Sequence, residues 1–157
     1  DGEKPKITNN NEEQGSYAHQ SKDTMDVLGK ELQKELTSFI FYEDSLFRKE
    51  ENYGAWDIYI VNFFSKDGDC FVRFFSSLYY SVKDFSGYVI IENKMVAFYN
   101  TEIKCNCGLV NTSLLQHSVP DDYPNDSNGI LTPFEPKGKT FKIHNKDSLE
   151  LVYSGYF

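Results

Sequence analysis

The sequence is short of positive charge, of cysteine and of long apolar runs, and each shortage closes off a class. No stretch approaches the roughly 18 consecutive apolar residues that read as a membrane-spanning helix. Lys and Arg number 16 against 24 Asp and Glu, for a net charge of −8. An acidic surface repels phosphate backbones, so nucleic acid is not an expected partner. Three cysteines, an odd count, do not make a disulfide-framed scaffold. A chain of 157 residues needs no such frame, because a domain of that size buries about 70% of its unfolded surface. Catalytic signatures are missing as well: there is no Gly-x-Ser-x-Gly elbow, Ser-x-x-Lys pair, His-Glu-x-x-His helix or phosphate-cradling glycine loop. The three histidines, His19, His117 and His144, stand far apart in the chain. We assign no catalytic residue and no cofactor.

Aromatic residues are what the chain has in excess, with 13 Phe, 11 Tyr and 1 Trp. Large rings suit a pleated, half-buried surface, so a β-rich core is expected. Some of those rings are candidates for a ligand-binding face. Apolar residues at 39% and charged residues at 25% fit a globular chain.

Residues 1–20, "DGEKPKITNNNEEQGSYAHQ", hold almost nothing that builds a core. Such a stretch cannot bury enough to offset its ordering entropy, so we read a flexible polar leader or tether. It resembles the start of many bacterial lipoproteins, in which a lipidated Cys would precede Asp1. The chain opens at Asp1 without an initiator Met, so we expect a removed N-terminal segment such as a signal peptide. The implied place is extracytoplasmic: periplasmic, cell-surface or secreted, with an N-terminal lipid anchor lying outside this sequence.

One domain is expected over 21–157. Residues 21–41 carry a helical period through Met25, Leu28, Leu32, Leu36 and Phe39, with Ser21 or Asp23 as cap. Strands follow in three hairpins: 56–65 with 70–80, 87–92 with 95–103, and 139–145 with 148–157. Turns fall at 66–69, at Asn93–Lys94 and at Lys146–Asp147. Trp56, Ile58, Ile60 and Phe64 share one face of the first strand; Tyr59, Val61 and Phe63 share the other. With both faces apolar, the strand must sit centrally or the sheet must curl. The ending "LVYSGYF" resembles the last strand of outer-membrane β-barrels, but Gly155 interrupts the alternation and we read a soluble strand. Residues 104–138 are irregular, and four of the five prolines fall within 117–138. Long loops of this kind often carry function.

Three groups are candidate sites. Cys70 pairs with Cys105 or Cys107 in a disulfide, or all three stay as thiols, or they join His117 as a Cys3His zinc set. If the strand continued through "EIKCNCGLV", Cys105 and Cys107 would share a face. The segment 124–135 overlays a calcium loop with Asp126, Asn128 and Glu135 in ligand positions, although Pro124 holds the first place; the competing reading is a solvated turn. The same loop offers Asp121, Asp122, Tyr123, Asp126 and Phe134 as an interaction surface.

The expected fold is α+β, one amphipathic helix packed on a curved antiparallel sheet of about six strands. That element order resembles cystatin-like and nuclear-transport-factor-like rolls, a likeness of order only. The expected function is an extracytoplasmic, non-enzymatic binding or protein-interaction domain, whose partner is a protein or small ligand met by the loop 117–138 or a concave aromatic sheet face. The alternatives are a small-ligand-binding roll or small enzyme with an aromatic-lined pocket, and a structural subunit of a larger assembly.

Overall fold

The computed structural model describes residues 27–43, 58–77, 79–118, 120, 123 and 137–157. Its helix, α1, spans Lys30–Ser38 and runs into a π-turn over Phe39–Glu43. Leu32, Leu36, Phe39 and Ile40 are all but fully buried, as the helical period demands. Lys34 and Glu31 pair at 3.2 Å on the outer side, an exposed contact worth little. The expected helix over 21–41 is broken within its span. Leu28 bridges to Val110, Gly29 N donates to Leu109 O at 2.8 Å, and Asn111 N donates to Val27 O at 2.7 Å. Tertiary backbone pairing wins there over local helical preference. Met25 and the capping candidates lie outside the described residues.

Six strands form one open sheet: β1 Ile58–Lys66, β2 Asp69–Ser77, β3 Phe85–Ile91, β4 Lys94–Tyr99, β5 Lys137–Asn145 and β6 Ser148–Tyr156. The fold is α+β, one helix against a mostly antiparallel sheet. Asp67 and Gly68 both take positive φ, as do Glu92 and Asn93, which is the signature of the tight turns whose twist matches paired strands. The second turn therefore sits one residue earlier than Asn93–Lys94. β4 stops at Tyr99 because Asn100 turns left-handed at φ 61°. The strand read over 95–103 therefore ends early, and the cysteine segment follows it as a 3-10 turn, so the condition under which Cys105 and Cys107 would share a strand face is not met.

The order across the sheet is β3-β4-β1-β2-β5-β6. The hairpins pair as expected, but they are not laid down as a run of neighbours. β4 sits beside β1 and runs parallel to it, with Ile58 opposite Met95 and Asn62 opposite Tyr99. This is a correction to an all-antiparallel sheet, and its physical cause is visible in β1. Ile58, Tyr59, Ile60, Val61 and Phe63 are all buried, so both faces of the strand must be covered and both edges paired. Inserting β1 between β2 and β4 achieves this without curling the sheet shut.

Two apolar layers result. On the helix face, Leu32, Leu36 and Phe39 meet Tyr59, Val61, Phe63, Val72, Phe74, Val96, Phe98, Phe141 and Ile143. Phe39 packs edge-on to Tyr59 with centroids 6.1 Å apart. Residues 104–118, expected to be irregular, close this layer with short 3-10 turns at Lys104–Asn106 and Thr112–Leu114 and with buried Leu109, Val110 and Leu115. The second face holds Ile58, Ile60, Met95, Ala97, Tyr99 and Tyr80, with Phe75, Phe85, Tyr88, Ile90 and Tyr123 packed on them.

Candidate functional site

Residues directly opposite one another on paired strands point to the same face. The register therefore draws one row across all six strands on the second face: Phe85, Tyr99, Asn62, Arg73, Thr140 and Tyr153. Its middle, Asn62, Arg73 and Thr140, is polar, and aromatic rings stand at both ends. Asn100 Nδ2 donates to Asn62 Oδ1 at 2.8 Å. The Tyr99 hydroxyl donates to Ser81 O and accepts from Ser81 N at 2.9 Å. Two open clefts flank the row. One, of about 350 Å³, lies over Asn62, Phe75, Ser77, Tyr79, Tyr99 and Asn100, with Lys83 and Asp84 also in its lining. The other, of about 360 Å³, lies over Phe64, Lys66, Phe71, Arg73, Thr140, Tyr153 and Phe157.

Arg73 is the centre of the second cleft. Its guanidinium stands 4.7 Å from the Phe64 ring centroid and 4.9 Å from that of Phe157. Both contacts are cation–π attractions that fix the plane of the group. Nε donates to Thr140 Oγ1 at 3.4 Å. Phe64 stacks on Phe71 at 5.3 Å, and Phe157 stacks on Tyr153 at 5.5 Å and meets Phe75 edge-on at 5.9 Å. Phe157 reaches this place over Gly138. A Cβ on Gly138 would lie 2.2 Å from Phe74 O and 2.5 Å from the Phe157 ring, so only glycine fits there. The Tyr153 hydroxyl donates to Tyr156 O, which holds the turn of chain that carries Phe157.

The nearby carboxylates are engaged elsewhere. Asp69 pairs with Lys142 at 3.5 Å, and Glu150 with His144 at 2.7 Å. Among the described residues no carboxylate pairs with Arg73. The hydroxyls of the first cleft are engaged too: Ser77 Oγ donates to Tyr79 O at 2.5 Å, and Ser81 Oγ accepts from Lys83 N at 3.3 Å.

The chain was compared with protein-family models, with curated proteins and with solved structures, and nothing matches it in any of the three. Its chemistry must be read from its own residues.

The cysteine segment is built for structure. Cys70, near the start of β2, is bonded to Cys105, with Cα atoms 5.2 Å apart. Between the two cysteines of "CNC", Asn106 is buried and makes three short hydrogen bonds. Nδ2 donates to Thr101 O and to Val110 O, each at 2.8 Å, and Oδ1 accepts from Val110 N at 2.7 Å. Cys107 takes a left-handed backbone at φ 42°, is exposed, and is a free thiol. Partial burial pushes that thiol above the ordinary cysteine range.

The four zinc candidates are not assembled. Two of their sulfurs are bonded to each other, and His117 Nδ1 sits 3.0 Å from Ser86 O. Among the described residues no three of His, Cys, Asp and Glu form a metal-holding group. The calcium candidates Asp126, Asn128 and Glu135 lie outside the described residues, as do Asp121, Asp122 and Phe134 of the interaction loop and His19 of the leader. Tyr123 is described: it packs against the second face, and its hydroxyl donates to Asn93 O at 3.1 Å. Among the described residues no helix is long and apolar enough to cross a membrane.

Sequence reasoning missed Arg73. Its signal was the run "CFVRFF", in which alternation puts Phe71, Arg73 and Phe75 on one face.

Proposed function

We propose that this protein is an extracytoplasmic, non-enzymatic binding domain whose working surface is the sheet face turned away from α1. The observation that carries the reading is Arg73, held between Phe64 and Phe157 in an open cleft without a carboxylate partner among the described residues. A fixed cation among partly exposed rings is the composition of a recognition surface rather than of a core. The Cys70–Cys105 bond supports the compartment, because disulfides persist where the surroundings are oxidising. The non-enzymatic part draws on the first cleft, whose two serines are bonded to backbone groups.

A panel of extended peptides and small aromatic metabolites titrated into isotope-labelled protein tests this. Binding is expected to move amide signals of β1, β2 and β5, and the bound compound is expected to be recovered unchanged. Shifts confined to the helix side, or chemical turnover, would overturn the reading. Fractionation of the source cells tests the compartment: residence in the cytosol with Cys70 and Cys105 reduced sinks that part.

The competing reading, a pocket for a small ligand, draws on the size of the two clefts, each above the roughly 300 Å³ at which small-molecule sites begin. The same titration separates the two: peptides saturating more tightly than metabolites favour the interaction domain, and the reverse favours the pocket.

A further inference from the structure

We infer that the Arg73 cleft is a site for a small planar aromatic carboxylate. This rests on the second face being the binding face and names the ligand class for it. A guanidinium carries five N–H donors in a rigid fork that matches the two oxygens of a carboxylate. Arg73 spends Nε on Thr140, and its remaining donors find no carboxylate among the described residues. Asp69 pairs with Lys142 and Glu150 with His144, not with Arg73. No Asp or Glu side chain is among the residues that line the cleft, and the exposed Lys66 adds a second cation at its rim. In a chain of net charge −8 this is a local reversal of sign, and an anion is what it complements.

The rest of the wall chooses among anions. Phe64 and Phe157 hold the guanidinium plane from two rings, so the fork is set before any ligand arrives and little ordering entropy is lost on binding. Phe71 and Tyr153 extend that wall by stacking on Phe64 and Phe157. Ring faces carry negative charge density and favour an apolar or aromatic body over further oxygens. A phosphate would turn its third and fourth oxygens toward those faces; a carboxylate on a flat ring would not. A space of about 360 Å³ takes one or two fused rings with the carboxylate at the arginine end. The competing view is that Arg73 merely cements Phe157 to the sheet.

The probe is 2-naphthoate, with 2-naphthamide as the neutral analogue of the same shape and inorganic phosphate as a second anion, each followed by calorimetry and by amide shifts. Naphthoate is expected to bind saturably, with shifts centred on Arg73 and Thr140. The amide and phosphate are expected to bind at least about tenfold more weakly. Arg73→Lys, which keeps the charge and loses the fork, is expected to weaken naphthoate by about tenfold or more, and Lys66→Gln by a smaller factor. Equal binding of naphthoate and naphthamide overturns the inference, as does no saturation by about 10 mM. Should Arg73→Lys fail to fold, Lys66→Gln and the neutral analogue still decide it. If other members of the peptide and metabolite panel shift the second face while naphthoate does not, the carboxylate falls and the binding face stands. If nothing shifts that face, both fall.

Discussion

Asn106→Ala is the sharpest test of how the "CNC" segment holds its shape. The Asn106 amide satisfies Thr101 O, Val110 O and Val110 N through three hydrogen bonds of 2.7 to 2.8 Å. Thr101 and Val110 are 2% and 3% exposed, so water does not readily replace the lost partner. Each hydrogen bond contributes about 1 kcal/mol net, and an orphaned buried polar group costs about 1–3 kcal/mol. The expected loss is about 3 kcal/mol, which for a chain of this length lowers the melting temperature by about 6–12 °C. Urea unfolding of the oxidised protein, with Cys107 blocked to prevent exchange, measures it; the denaturant slope should stay unchanged. Asn106→Asp gives a second reading. Its carboxylate keeps the acceptor for Val110 N but turns an oxygen toward two carbonyls, which raises its pKa in the folded state. Stability relative to the parent is then fuller below the unfolded carboxyl pKa and declines as pH rises through the raised folded value. A cost for Asn106→Ala below about 1 kcal/mol, or a pH dependence of opposite sign for Asn106→Asp, would refute this account.

Breaking the Cys70–Cys105 bond with Cys70→Ser opens a loop closed over a sequence separation of 35. The expected cost is about 3–4 kcal/mol by chain entropy, and thiol titration of the unfolded, unreduced parent should count one thiol, not three. Ser76→Ala should act in the opposite direction. Ser76 Oγ is buried without a hydrogen-bond partner among the described residues, so removing it is expected to raise stability by up to about 1 kcal/mol by urea unfolding, and a loss of that size would show a missed partner. Cys107 should alkylate more slowly in the folded than in the unfolded protein at neutral pH. Its rate should go on rising with pH past the point where the unfolded thiol levels off, because burial keeps the proton on; matching profiles would contradict the raised value.

Much of the fold was readable because strands advertise themselves. Alternation placed Tyr59, Val61 and Phe63 on one face and Ile58 and Ile60 on the other, and the structure buries them in separate layers. Turn chemistry marked Gly68, whose φ of 83° needs no Cβ. Strand order was not readable in the same way. A period of two says which residues face together, not which strand lies alongside, so the parallel β1–β4 pair left no local trace. The helix failed at Leu28 and Gly29 for a related reason. Their apolar spacing fits a helix, and only the distant partners Leu109 and Val110 make the pairing that breaks it.

The site shows the same boundary between local and distant information. Cysteines, an acidic loop and histidines drew notice because their chemistry is intrinsic to the residue type. Arg73 became notable only through its neighbours, and those come from three strands, β1, β2 and β5, and the chain beyond β6. Period two alone brings Phe71 and Phe75 to its side. Phe64 arrives with the β1–β2 register, in which it faces Phe71. Thr140 depends on β5 docking beside β2 across a long intervening stretch of chain. Phe157 depends on a glycine, since any side chain on Gly138 would occupy the place its ring takes over the sheet. A cation fixed by rings from so many places cannot be recovered from spacing. An arginine within an alternating aromatic strand, in an acidic chain, nonetheless predicts that some neighbour must settle its charge. Among the described residues the rings and Thr140 settle its position and no carboxylate pairs with its charge, which is the observation the proposed carboxylate site starts from.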